Sequence, residues 1–136
     1  MVDLAVPLPT AIIGRFLGVP PADRAQFHHW ATGVVSGTSG AEFYAEHHRA
    51  TRELYAYFRR LITRRREAPG DDLLSVLVAG GADEAALGDE QVLGFCFNLI
   101  VGGIETTTNL VSSGMVLLQE HPDVARRLVA SPERIP

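Results

Sequence analysis

The sequence contains no lysine, because all twelve of its basic residues are arginines. Sixteen acidic residues outnumber them and give a net charge of −4, which does not favour binding to nucleic acid or to an anionic membrane surface. The single cysteine, Cys96, excludes an intramolecular disulfide and a zinc site built from several thiolates. The first ten residues lack a basic region followed by a long apolar run. We therefore expect no signal peptide and a cytoplasmic location.

Runs of strand-forming residues are also scarce, whereas Ala, Leu, Arg and Glu are plentiful and apolar residues make up 46% of the chain. This composition predicts an all-α fold with a substantial core. Glycine, proline and polar clusters divide the chain into segments, with SGTSG at 36–40 as a loop. The first four predicted helices cover Pro9 to Leu17, the acidic PPAD stretch to about Val35, Ala41 to about Arg66, and the short LLSVLV segment.

Apolar spacing indicates which faces of these helices are buried. The first helix carries four apolar side chains on one face, the second buries three, and the third has a stripe at i, i+4, i+7 and i+8. These sets are, in order, Ile12, Ile13, Phe16 and Leu17; Phe27, Trp30 and Val34; and Leu54, Phe58, Leu61 and Ile62.

A long central helix is predicted over about 89–120, followed by a short helix over 122–130. The long helix is apolar nearly all round, which is typical of a helix in the middle of a protein. A membrane span over 92–118 is an alternative interpretation of the same pattern. It is not favoured, because Asn98, Glu105 and Asn109 interrupt the apolar run and flanking arginine anchors are missing.

The middle of this helix reads GGIETTT. Each interior glycine costs a helix about 1 kcal/mol relative to alanine, but a missing Cβ allows close approach of another helix or a planar ligand. The Thr106 hydroxyl can bond back to the carbonyl of Gly102, which can bend or open the helix. Glu105 on an apolar helix must be paired, hydrated or protonated, and beside Thr106 it suggests a proton relay. The alternative is an ordinary small-residue helix contact with the charge in solvent.

The order Gly102-Gly103-Ile104-Glu105-Thr106-Thr107, followed by Asn109, resembles the central helix of the cytochrome P450 family of haem-thiolate monooxygenases, especially the soluble bacterial type. Three further stretches are similar to segments of that family, so the resemblance covers almost the whole chain. It implies a partial P450 domain over 1–136, the middle portion of the family's fold, with lid helices within 9–66 before the central helix. The three stretches are PLPTAIIGRFLGVPPADRAQFHHWA, RRREAPGDDLLSVLV and EHPDVARRLVASPERIP.

The resemblance also implies roles for single residues. Gly102 and Gly103 would border haem and the oxygen pocket, and Thr106 would hydrogen-bond dioxygen or a water beside it. Glu105 would feed protons towards the O–O bond, while Val101 and Asn98 would touch substrate. The implied enzyme hydroxylates a small organic substrate with dioxygen and takes electrons from a ferredoxin-type partner.

Two features of the family are missing from the sequence. The Phe-Gly-x-Gly-x-His-x-Cys-x-Gly loop that supplies the iron ligand is absent, and so is the Glu-x-x-Arg pair that follows the central helix. Glu46 and Arg49 spell that pair, but they lie upstream on the wrong helix. Cys96 is interpreted as a buried thiol, so no metal ligand is assigned. We therefore expect a central fragment that alone is inactive, does not retain haem and exposes an apolar face of its long helix.

Two other classes of function stay open. One is a non-enzymatic helical protein that uses an apolar groove for a ligand or partner. The other is a metal protein with one histidine from each of two pairs, because adjacent residues on a helix face different sides. A cluster of arginines is interpreted as complementing a helix C-terminus and not as a nucleic-acid site. The pairs are His28 with His29 and His47 with His48, and the cluster is Arg59, Arg60, Arg64, Arg65 and Arg66.

Overall fold

The computed structural model describes residues 2–35, 41–80 and 86–134, and the regular elements in these ranges are all helical. The predicted all-α fold class is confirmed. The loop predicted at 36–40 lies outside the described residues. Short 3₁₀ turns occupy Pro21–Asp23 and Pro132–Arg134. The α-helices are α1 Val2–Ala5, α2 Pro7–Phe16, α3 Arg24–Val35, α4 Ala41–Glu67, α5 Leu73–Ala79, α6 Asp89–Glu120 and α7 Pro122–Ala130.

Helices α3 and α4 pack closely along their apolar faces. Phe27 of α3 meets Phe58 of α4 edge to face, with ring centroids 6.3 Å apart. Gly33 lets the backbones approach, since a Cβ there would lie 2.9 Å from the Cβ of Ala50. The predicted stripe of α4 is confirmed, as is burial of the three apolar residues of α3. The stripe residues Leu54, Phe58, Leu61 and Ile62 are each at most 2% exposed.

Helix α2 buries a narrower face than its sequence predicts. Ile13 and Leu17 are buried, whereas Ile12 and Phe16 are 46% and 60% exposed. Placing all four in the core was wrong, because successive helical residues point about 100° apart and α2 packs against α3 and α6 on one side only. Ile12 and Phe16 line the outer side of the helix.

The C-terminal end of α4 is tied to two distant loops through Arg65. Its Nε donates to Asp72 Oδ2 at 2.7 Å, and its Nη2 donates to the carbonyl oxygen of Gly18 at 3.0 Å. The other oxygen of Asp72 accepts from the backbone N–H of Ser75 and caps α5. Gly18 has a φ of +71°, which favours glycine. One arginine thus connects the α2–α3 turn, the end of α4 and the start of α5.

Arg66 makes a second connection from the same end of α4. Its guanidinium donates to Asp89 Oδ1 at the start of α6 and to the carbonyl oxygens of Val78 and Leu87. The arginine cluster therefore does more than complement the helix dipole, because two of its members anchor the segments that lead into α5 and α6.

Helix α6 has 32 residues, a length of about 48 Å at 1.5 Å per residue. One face of its first half is buried by α2, α3, α4 and α5. Its second half exposes apolar side chains, among them Leu110, Val116 and Leu117 at 73%, 50% and 54%. The expected exposure of an apolar face is confirmed. Among the described residues, no helix has the combination of length and apolarity that crossing a membrane requires.

Candidate functional site

The glycine-threonine stretch of α6 lies within a regular helix. Thr106 Oγ1 donates to the carbonyl oxygen of Gly102 at 2.5 Å, so the predicted back-bond is confirmed. The expected opening of the helix is wrong, because α6 continues as α-helix from Asp89 to Glu120. The hydroxyl shares a carbonyl with the helix ladder and does not break it.

The two adjacent glycines face different surroundings. A Cβ at Gly103 would lie 2.5 Å from Cδ1 of Ile13, so this glycine allows close contact between α6 and α2. A Cβ at Gly102 would meet nothing within 4 Å. The prediction treated the two glycines alike, yet Gly103 serves helix packing and only Gly102 faces unfilled space.

Six residues spaced three or four apart form one exposed strip on α6, which we call the open face. Gly102 and Thr106 lie at its centre, and Glu105 is exposed beside them. Of the alternatives for Glu105, the structure shows the carboxylate exposed to solvent, because α6 turns Glu105 away from the helices that cover its other side. The members of the open face are Phe95, Asn98, Gly102, Glu105, Thr106 and Asn109, all exposed.

The open face brings together four of the six site residues that the sequence predicts: Asn98, Gly102, Glu105 and Thr106. Val101 is half-buried at its edge, and Gly103 lies against α2. Phe95 was missed, although it precedes Asn98 by one helical turn and that spacing was available in the sequence. It is 40% exposed and adds an apolar end to a polar strip.

The hydrogen bonds of the open face determine what it can offer a ligand. A threonine hydroxyl has one proton, and that of Thr106 is given to Gly102, so its oxygen is left as an acceptor. To donate to a ligand, the hydroxyl must rotate away from the helix. Glu105 forms no ion pair with any residue in the described ranges. Both side chains can therefore accept hydrogen bonds from a ligand or from water.

Cys96 lies on the covered side of α6, away from the open face. It is 1% exposed, and burial raises the pKa of its thiol to about 12. Metal binding needs a thiolate, so Cys96 is not available as an iron ligand in this fold.

The reactivity of Cys96 provides a direct check on this placement. At pH 8 a pKa of about 12 makes the thiolate fraction about a thousandfold smaller than the ordinary value of 9.0 does. We expect a thiol-reactive disulfide reagent to label the folded chain at least about a thousandfold more slowly than the same chain in denaturant. Rapid labelling of the folded chain, followed by absorbance, would contradict the burial of Cys96.

The histidine pairs do not assemble a metal site in the part of the chain that the structure describes. No group of three or more His, Cys, Asp or Glu side chains is positioned to hold a metal ion there. His29 Nε2 lies 3.9 Å from Glu46 Oε1, and His47 Nδ1 lies 3.1 Å from the carbonyl oxygen of Val34. These histidines link α3 to α4.

Comparison with known proteins gives one consistent result. The family model described as Cytochrome P450 matches residues 39–132. Cytochrome P450 130 of Mycobacterium tuberculosis is 39% identical over 138 residues, which cover 98% of this chain and 34% of that protein. The cytochrome P450 monooxygenase PikC of Streptomyces venezuelae is 41% identical over 124 residues, covering 90% of this chain and 29% of its own length.

Solved structures agree with the sequence relatives. The crystal structure of CYP109E1 from Bacillus megaterium in complex with testosterone superposes with a TM-score of 0.88 at 38% identity. That match covers 98% of this chain and 36% of the CYP109E1 chain. The chain thus spans about a third of the length of the relatives and structures that it resembles.

Proposed function

The chain belongs to the cytochrome P450 family, and on that premise we propose that its open face borders the haem and dioxygen site of a monooxygenase. The observation that carries this proposal is the pairing of Gly102 and Thr106. Gly102 has no side chain, and no described residue lies within 4 Å of where its Cβ would be, while the Thr106 hydroxyl is held on the same face. That order of residues is the one that the family resemblance assigns to its oxygen pocket.

The residues present fit one side of a haem. Gly102 leaves a flat, unobstructed patch on which a planar ring can lie. Phe95 and the exposed Leu110 extend this patch with apolar surface suited to a porphyrin. A thiolate ligand for the iron would have to come from another part of the whole protein, because Cys96 is buried on the covered side of α6. When bound, haem iron would supply the redox chemistry that activates dioxygen.

Within this proposal, the side chains of the open face move protons and orient the substrate. Thr106 would hold a water or dioxygen molecule at this face, once its hydroxyl has rotated from the Gly102 carbonyl to donate. Glu105 takes protons from solvent and returns them towards Thr106, a role that suits its exposure. Asn98 offers one amide for substrate contact, and Val101 contributes an apolar edge. Gly103 supports the site indirectly by packing α6 on Ile13.

The whole protein would hydroxylate a small organic substrate, with electrons from a ferredoxin-type partner. We propose that the 136-residue chain alone is inactive and does not retain haem, since the iron ligand lies elsewhere. A carbon-monoxide difference spectrum of the reduced samples tests both statements. The whole protein should give the band of a thiolate-ligated haem, and the chain alone should give none. Such a band from the chain alone, or its absence from the whole protein, would overturn the proposal.

A non-enzymatic binding protein is the second candidate. It is favoured by a groove of about 670 Å³ between α2 and the start of α5, which Ile12, Phe16 and Val76 line with exposed apolar surface. An apolar ligand or a partner helix would suit this groove. The same carbon-monoxide spectrum separates the candidates, because a binding protein has no thiolate-ligated haem in any form.

The side chain at position 102 offers a sharper test. Gly102→Leu should leave the fold of the chain intact, because a Cβ at this position has no neighbour within 4 Å among the described residues, and removing a helical glycine stabilises by about 1 kcal/mol. In the whole haem protein, the same leucine would fill the space proposed for the cofactor and dioxygen. We expect carbon-monoxide affinity of the reduced protein to fall at least about tenfold, a loss of about 1.4 kcal/mol.

Gly94→Leu is the matched control for this substitution. Gly94 also lies on α6, and a Cβ added there would also meet nothing within 4 Å, but this glycine is not part of the open face. Its replacement should leave carbon-monoxide affinity unchanged. Equal affinities for wild type and Gly102→Leu would show that the open face does not border the haem.

A further inference from the structure

The arginine cluster of α4 divides into two groups. Arg59, Arg65 and Arg66 each pair with a carboxylate from another segment of the chain. Arg60 and Arg64 form no ion pair or side-chain hydrogen bond within residues 2–35, 41–80 and 86–134. Three of the five arginines therefore have an ionic partner on another segment, whereas Arg60 and Arg64 have none among the described residues.

The two unpaired arginines line the same pocket. It lies between α3 and α4 and has a volume of about 270 Å³. Arg60 and Arg64 stand one helical turn apart on α4, a spacing that brings two side chains to one place. Trp30 and Tyr57 form the wall behind them, each 8% exposed, with ring centroids 5.2 Å apart. The pocket thus combines two cations with a rigid aromatic surface.

Within the lining, Arg60 and Arg64 outnumber the single carboxylate, and the adjoining carboxylate of Glu53 already accepts a hydrogen bond from Trp30 Nε1 at 2.6 Å. Asp23 Oδ2 accepts a hydrogen bond from the Tyr57 hydroxyl at 2.9 Å, so the single carboxylate in the lining already has a donor. Burial, and then this hydrogen bond, raises the pKa of Tyr57, while the charge of Arg64 acts to lower it. Gln26 adds an uncharged amide at the rim.

We propose that this pocket binds a small oxyanion, either phosphate or the carboxylate of a small organic acid. Two guanidinium groups give an oxyanion several charge-assisted hydrogen bonds, often in bidentate pairs. The volume is below the range of about 300–1,000 Å³ typical of pockets for drug-sized molecules, which favours a compact anion. None of these residues belongs to the open face, so the proposed anion site can be tested independently of the proposed haem site.

Isothermal titration calorimetry of the full chain tests the site, with sodium phosphate and sodium citrate as separate probes at constant ionic strength. We expect saturable binding of at least one probe, weakened at least about tenfold by Arg60→Gln and by Arg64→Gln. Both arginines are exposed, so neither substitution should unfold the chain. Far-UV circular dichroism checks the helix content of each sample. Whichever probe binds more tightly identifies phosphate or carboxylate as the preferred chemistry.

Arg52→Gln is the matched control, because Arg52 is an exposed arginine on α4 that lines a different pocket and forms no ion pair with the described residues. It removes the same charge and should leave binding unchanged. The fluorescence of Trp30 gives a second measure of binding, since Trp30 is the only tryptophan of the chain and is part of the pocket wall. Absence of saturable binding by both methods would overturn the proposal, and so would equal weakening in Arg52→Gln.

Discussion

In the whole haem protein, Thr106→Ala should uncouple electron consumption from product formation. Without the hydroxyl, a water or dioxygen bound at the open face would lose the donor that we propose for it, while the exposed Glu105 would remain. Dioxygen that takes up two electrons and two protons then leaves as hydrogen peroxide. We expect the ratio of product to electrons consumed to fall about tenfold, less than the roughly 10²–10⁴-fold typical of general acid–base catalysis, because a second group remains. Peroxide and product are measured together against oxygen uptake.

Two neighbouring substitutions make this result specific. Thr106→Ser keeps a hydroxyl at the same position and should restore most of the coupling. Thr107→Ala makes the same chemical change one residue away, outside the open face, and should behave like wild type. Unchanged coupling in Thr106→Ala, with peroxide at the wild-type level, would remove Thr106 from the proposed proton path.

Gly18→Ala should be the most destabilising single substitution that we predict for the chain. The φ of +71° at Gly18 costs an alanine about 1–2 kcal/mol. Its Cβ would also overlap the Asp72 carboxylate, which then has to leave Arg65 and the N-terminus of α5. This ion pair is largely buried, with side chains 20% and 7% exposed. We expect the free energy of unfolding to fall by about 3 kcal/mol or more in urea denaturation at pH 7.

The pH dependence separates the loss of the Asp72 contacts from simple backbone strain. Burial alone would raise the pKa of Asp72, but hydrogen bonds from Ser75 and Arg65 outweigh it and hold the pKa below its ordinary value of 3.8. The stabilisation is therefore complete above about pH 4 and is lost as pH falls through the lowered pKa. The difference between wild type and Gly18→Ala should shrink in acid.

Gly94→Ala is the control for the stability measurement. Its Cβ meets nothing and its position is helical, so it should raise the free energy of unfolding by about 1 kcal/mol. If the free energy of unfolding of Gly18→Ala at pH 7 lies within about 1 kcal/mol of the wild-type value, the Arg65–Asp72 ion pair does not stabilise the fold as its geometry indicates.

The sequence by itself determined the fold class and the family. Helical spacing of apolar residues is a local property, so the buried stripe of α4 and the extent of α6 follow from it directly. The hydrogen bond from Thr106 to Gly102 is also local, because residues four apart are neighbours on the same side of a helix. The motif around these two residues carries the resemblance that the family comparison then confirmed.

Only the tertiary structure decided which side of each helix is covered. Gly102 and Gly103 are equivalent as sequence, yet Ile13 of α2 contacts one and leaves the other exposed. Glu105 reads as buried within an apolar run but faces outward, because the neighbouring helices pack on the opposite side. Adjacent residues on a helix differ by about 100° in direction, so small rotations in packing determine which is buried.

Helix packing also determines which arginines of α4 find a partner. Their spacing predicts a basic helix end, but their partners lie far away in the sequence: Gly18 is 47 residues from Arg65, and Asp89 is 23 residues from Arg66. Such pairings depend on how the helices pack, and no local pattern encodes them. Helix packing therefore gives Arg59, Arg65 and Arg66 partners on other segments and leaves Arg60 and Arg64 without an ionic partner among the described residues.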